Sequence, residues 1–147
     1  MSFSWVGLAI GLAVLAPNLL LLRFPPRDGM RRVPVPLGLT ILERAGQAGC
    51  LALVAFPLGE HPWWLVGVTA AELAYLALWA RYLLRGRTFA LLYRRLGPLP
   101  VPMAVFPVLA FGLAAAWGAS PWLAVATVVL AAGHIPASWL IARTVTA

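Results

Sequence analysis

Hydrophobic residues in this chain come in long unbroken runs, separated by short polar or basic interruptions. A helix that crosses a bilayer needs about 20 predominantly apolar residues, and five runs of that kind can be marked. The first extends from about Phe3 to Leu22 and ends where Arg23, the Pro25-Pro26 pair and Asp28 break both apolarity and helix. The second extends from about Leu37 to Leu58 and is closed by the polar turn Gly59-Glu60-His61-Pro62. Trp63 and Trp64 then mark an interface, where amphipathic rings prefer to sit, and open a third run to about Leu84. The fourth covers about Val101 to Trp117, and a tight turn at Gly118-Ala119-Ser120-Pro121 leads into a fifth, from Pro121 to Ala142, just before Arg143. The pattern predicts an all-α fold: one integral membrane bundle of about five transmembrane helices, spanning the whole chain, with no soluble domain. Between the third and fourth runs, Phe89-Ala90-Leu91-Leu92-Tyr93-Arg94-Arg95 reads either as a short amphipathic interface helix or as an ordinary basic loop. No internal repeat or inverted pair of halves suggests a transporter architecture.

Composition agrees with that picture. The 147 residues are 63% hydrophobic and 10% charged, with a mean hydropathy of +0.91, whereas a globular domain carries roughly a quarter charged residues. All 11 basic residues are arginine. They gather chiefly in two clusters, Arg23, Arg27, Arg31 and Arg32, then Arg81, Arg85, Arg87, Arg94 and Arg95. Alternate loops place both clusters and Arg143 on one side, with Glu60, His61 and Ser120 on the other. The positive-inside rule then puts the N-terminus outside and the C-terminus in the cytoplasm. Arginine-only usage with abundant Ala, Gly and Pro is the habit of a GC-rich bacterial genome, so a multi-pass protein of the bacterial inner membrane is expected. The net charge of +7 is read as orientation charge, and nucleic acid is not an expected partner.

Cys50 is the only cysteine, which excludes an intramolecular disulfide and a multi-cysteine metal site. His61 and His134 fall on opposite sides, so no zinc site is expected. One histidine inside the bundle would supply a single axial haem ligand, with nothing else to support haem. No metal or other cofactor is expected. The first run lacks a basic n-region and an A-x-A-like cleavage site and is read as a retained helix.

Polar side chains inside apolar runs are costly and therefore face the bundle interior and serve as functional candidates. Glu43 and Gln47 in Glu43-Arg44-Ala45-Gly46-Gln47 share a helical face with Cys50, while Arg44 points about 100° away. Glu72, Tyr75 and Trp79 share a face of the third run, followed by Arg81 and Tyr82. The first run adds Asn18 after Pro17, and the fifth adds His134 before Pro136 and Ser138. Asn18, Glu43, Gln47, Tyr75, Trp79, Arg81 and His134 fall in the cytoplasmic half, with Glu72 nearer the middle, and are expected to converge on one pocket. Each has a plainer reading. Glu43 and Arg44 can snorkel or pair with another helix, and His134 can bond the carbonyl freed by Pro136. Tyr75 and Trp79 can be packing anchors, and Arg81 an orientation charge. Glu72 escapes least easily, because a mid-span carboxylate must pair, protonate or meet water. Gly46 and Gly49 permit close helix approach and are read as packing.

With Pro17-Asn18-Leu19-Leu20, Glu43-Arg44-Ala45-Gly46-Gln47, Pro102-Met103-Ala104-Val105-Phe106-Pro107-Val108 and Gly133-His134-Ile135-Pro136 in view, the chain resembles a group of short bacterial polytopic membrane proteins. The resemblance spans most of the chain and carries no activity to transfer. Three functions are consistent with the residues. The first is a membrane-embedded enzyme performing acid-base chemistry on a lipidic or isoprenoid substrate, as a terpene cyclase would. Glu72, Glu43 and His134 would be catalytic, and Asn18, Arg44, Gln47, Tyr75, Trp79, Arg81 and Tyr82 would bind substrate. An apolar wall favours the protonated carboxyl that such an acid needs, and aromatic faces stabilise a developing cation. The second is a small proton-coupled transporter or channel. The third is a structural subunit whose partner is a second copy or another membrane protein.

Overall fold

The computed structural model describes residues 2–145. These form five helices: α1 (Trp5–Arg23), α2 (Leu37–Leu53), α3 (Trp63–Leu84), α4 (Pro102–Trp117) and α5 (Pro121–Val145). No strand occurs among the described residues; Leu96 and Leu99 form an isolated bridge. By length and composition α1, α3 and α5 can cross a membrane, and α4 is a shorter apolar helix.

Local chemistry explains the boundaries. Ser4 caps α1, its Oγ accepting from the Gly7 amide at 3.3 Å, and Ser120 caps α5 by accepting from the Leu123 amide at 3.2 Å. Within α1, Pro17 has no N–H to donate, and the helix tightens to a 3-10 turn over Ala16–Leu19 before resuming at Leu20–Arg23. The second apolar run does not stay helical to Leu58 as expected. Helix α2 stops at Leu53 because Pro57 lacks an N–H and biases Phe56 away from α geometry, so residues 54–58 turn.

Loops pin the two ends of the bundle. At one end the Ser4 amide donates to the Ala55 carbonyl, the Leu58 and Gly59 amides to that of Gly118, and the His61 amide to that of Trp117. Exposed Trp5, Trp63, Trp64 and Trp122 begin α1, α3 and α5 at this end. At the other end the Arg27 amide donates to the Arg87 carbonyl at 2.7 Å, and Asp28 Oδ1 accepts from the Phe89 amide at 2.7 Å. Tyr82 donates to the Phe24 carbonyl at 2.9 Å, so both arginine-rich connections meet here.

The stretch beginning at Phe89 is neither an interface helix nor a plain loop. It folds inward as a 3-10 turn, Phe89–Leu92, and buries Phe89, Leu91 and Leu92 against Tyr75, Trp79 and Tyr82. A second core, containing Val14, Cys50, Val68, Ala71, Phe111 and Trp117, fills the opposite half. Cys50 is fully buried with Sγ 3.7 Å from Thr127 Oγ1, a packing environment.

Helices α2 and α5 form the most extensive helix pairing and cross closely. A Cβ on Gly46 would collide with the Leu130 backbone, and one on Gly133 with the Glu43 backbone and the Leu39 carbonyl. Only residues without side chains allow this approach. Gly46→Ala should therefore cost about 1–3 kcal/mol through overpacking, read by thermal unfolding in detergent. Gly38→Ala meets open space and should be neutral or gain up to about 1 kcal/mol from reduced chain entropy. Equal shifts for the two would contradict the crossing.

Candidate functional site

The α2–α5 crossing brings together two side chains 91 residues apart: His134 Nδ1 lies 2.7 Å from Glu43 Oε1. The histidine thus bonds a carboxylate, not the carbonyl freed by Pro136. With Glu43 ionised, Nδ1 carries the proton and Nε2 is left as an acceptor. Both side chains are roughly one-third exposed, 32% for Glu43 and 28% for His134, because they form part of the wall of a cavity of about 270 Å³.

Every helix contributes to that cavity. From α1 come Val14, Asn18 and Leu21, and from α2 Glu43 and Gln47. Helix α3 supplies Tyr75 and Trp79, and α4 supplies Met103, Ala104 and Pro107. Leu130, His134 and Ser138 come from α5. A second polar pair ties α1 to α3: Tyr75 donates to Asn18 Oδ1 at 3.0 Å, and Asn18 Nδ2 reaches the Val14 carbonyl at 3.5 Å. Trp79 packs edge-on to Tyr75, with centroids 6.3 Å apart. Leu92, Tyr93 and Val101 complete the wall. Burial, and secondarily the nearby Glu43 charge, pushes the Tyr93 phenol above its ordinary pKa. Val101, held between Pro100 and Pro102, sits in the left-handed region at φ 41° while almost fully buried. A β-branched residue there is strained, and the strain lies at the cavity wall.

Six expected residues therefore share the cavity: Asn18, Glu43, Gln47, Tyr75, Trp79 and His134. Four do not line it. Glu72 does not line the cavity although Tyr75, about one turn further along α3, does; its neighbour Ala71 belongs to the other core. One of its carboxyl oxygens is buried with no hydrogen-bond partner among the described residues. Arg81 turns to the Arg94 carbonyl at 3.2 Å. The Tyr82 hydroxyl is taken by Phe24. Arg44 lies on the other side of Glu43, in a cleft between α1 and α2.

Sequence reading missed Leu92, Tyr93, Val101 and Met103, and noted Ser138 without placing it in the site. Tyr93 stood in the apolar-basic stretch already noted, the one signal that pointed to it. No known protein family matches the chain, nor does any curated protein or solved structure.

The Glu43–His134 bond should be measurable as a double-mutant cycle with Glu43→Gln and His134→Gln, read by unfolding in detergent. A coupling of about 1.5–3 kcal/mol is expected for a hydrogen bond to a charged group. The same cycle on Arg44 and Glu72, which form no ion pair, should return a coupling near zero.

Proposed function

We propose that the chain is a five-span protein of the bacterial inner membrane and that its cavity performs acid-base chemistry on a lipidic or isoprenoid molecule. The carrying observation is the Glu43–His134 hydrogen bond in the wall of a cavity otherwise lined largely by apolar and aromatic side chains. A carboxylate fixing one imidazole nitrogen leaves the other to exchange a proton with a bound molecule, the arrangement general acid-base catalysis uses. In an isomerisation or cyclisation, Nε2 takes one C–H proton, the imidazolium is held by Glu43, and a proton is returned at another atom. No outside reagent is consumed. Tyr75 and Trp79 give aromatic surface against which the apolar part of the molecule packs.

Size favours a segment of a lipid over a whole one. At about 270 Å³ the cavity falls just under the range of about 300–1,000 Å³ typical of small-molecule sites. Membrane placement rests on the exposed tryptophans at one end and the arginine connections at the other, the anchors expected of outer and cytoplasmic faces. Helix α2, with 17 residues, is about 25 Å long at 1.5 Å per residue. The apolar turn Val54–Leu58 extends it toward the roughly 30 Å of the hydrocarbon core.

Lipid extracts of membranes expressing the chain should contain, by chromatography and mass spectrometry, an isomer absent from cells expressing Glu43→Gln or His134→Asn. Identical extracts from all three, with no lipid retained by the purified protein, would refute the reading. For orientation, single cysteines at Arg31 and at Glu60 in a Cys50→Ala background should react with an impermeant reagent from opposite faces, Glu60→Cys from the outside. Reaction of both from one face would overturn the span count.

A further inference from the structure

We propose that the cavity is entered sideways, through the cleft between α1 and α2, and that what enters is an acidic lipid whose carboxylate or phosphate head pairs with Arg44. The inference rests on the lipid reading of the cavity and narrows the substrate class.

The cleft follows from how α1 and α2 meet. Near the tryptophan end they touch tightly: the Ser4 amide donates to the Ala55 carbonyl at 2.8 Å, Gly7 abuts the Val54 backbone, and Gly11 faces Val54 and Leu51. Toward the arginine end they part. The wedge between them is lined by Leu15, Thr40, Arg44, Ala48 and Leu51, together with Glu43 and Gln47. These last two also line the cavity, so one pair of side chains separates cleft from cavity. Gln47 makes no side-chain hydrogen bond among the described residues, and nothing holds it as a barrier.

Charge selects the occupant. Glu43 and Arg44 carry the only formal charges at the cleft. Glu43 is hydrogen-bonded to His134 and feels the Arg44 charge only at a distance, whereas the exposed Arg44 makes no ion pair within 4.0 Å among the described residues. A guanidinium on a lipid-facing surface is costly unless matched. An anionic head matches it, and Leu15, Ala48 and Leu51 cover the adjoining chain. A neutral lipid would leave the guanidinium unpaired. Glu43 and Gln47 line both cleft and cavity, so a head held at Arg44 is separated from His134 only by these two side chains, and the carbons nearest that head are the first to pass between them. The reactive bond of the substrate therefore lies close to its acidic group.

The test uses the full chain in phosphatidylcholine vesicles, with spin-labelled stearic acid, its methyl ester and spin-labelled phosphatidic acid as probes. Motional restriction in the electron paramagnetic resonance spectrum reports binding. The charged probes should be restricted and the ester should not; preference for phosphatidic acid or stearic acid identifies phosphate or carboxylate as the head. Arg44→Gln should weaken the charged probes about tenfold or more, as loss of one charge-assisted pair implies, while Arg44→Lys retains most binding. Ala48→Trp, filling the cleft at an exposed position, should slow uptake, and Arg95→Gln should change nothing. Equal restriction of acid and ester, or indifference to Arg44→Gln, overturns the acidic-lipid entry while leaving the isomer test of the cavity standing. Failure of both experiments removes the lipid reading itself.

Discussion

The rest of the structure depends on one close contact, the crossing of α2 and α5 at Gly46 and Gly133. Gly133 rests on the backbone of Glu43, and His134 is the next residue along, so backbone approach and polar pairing are one event. An alanine at either glycine would push the helices apart by displacing backbone, not a yielding side chain. A hydrogen bond to a charged group contributes about 1.5–3 kcal/mol only while its geometry is kept. The glycines set that geometry. The polar pair is therefore a product of the packing and needs no separate positioning element.

Prolines cluster at the same level of the bundle. Pro17 precedes Asn18, Pro107 lines the cavity, and Pro136 follows His134 by two residues. Each removes one N–H from the helical ladder, leaving a carbonyl four residues earlier without its usual donor. In an apolar bundle such groups are tolerated where neighbouring helices or a cavity receive them. The 3-10 turn at Ala16–Leu19 is the visible adjustment in α1, and it carries the asparagine that Tyr75 bonds.

Much of this was legible in the sequence because polar residues stand out in apolar runs. Asn18, Glu43, Gln47, Tyr75, Trp79 and His134 were recognisable on those grounds, and α3 begins and ends where Trp63 and Leu84 placed it. Glu72 shows the limit. Helical spacing gives the angle around an axis but not where neighbouring helices leave space, and Glu72 falls outside the cavity that Tyr75, one turn on, lines. Tyr93 and Leu92 were hidden for a different reason: a connection that doubles back has no period to read, and its inward turn depends on Asp28, 61 residues earlier. The second apolar run is longer than its helix because apolarity continues past Leu53 while Pro57 does not allow helix to follow.

The separation of Glu43 from His134 by 91 residues has a consequence for the order of assembly. During synthesis Glu43 emerges with α2, long before its partner exists, and α3 and α4 follow without supplying one. Until α5 docks, the nascent bundle holds a carboxylate without its imidazole and a groove along Gly46 with nothing seated in it. The last helix therefore acts as the keystone. A chain truncated before α5 displays an unmatched polar face that distinguishes it from the finished protein.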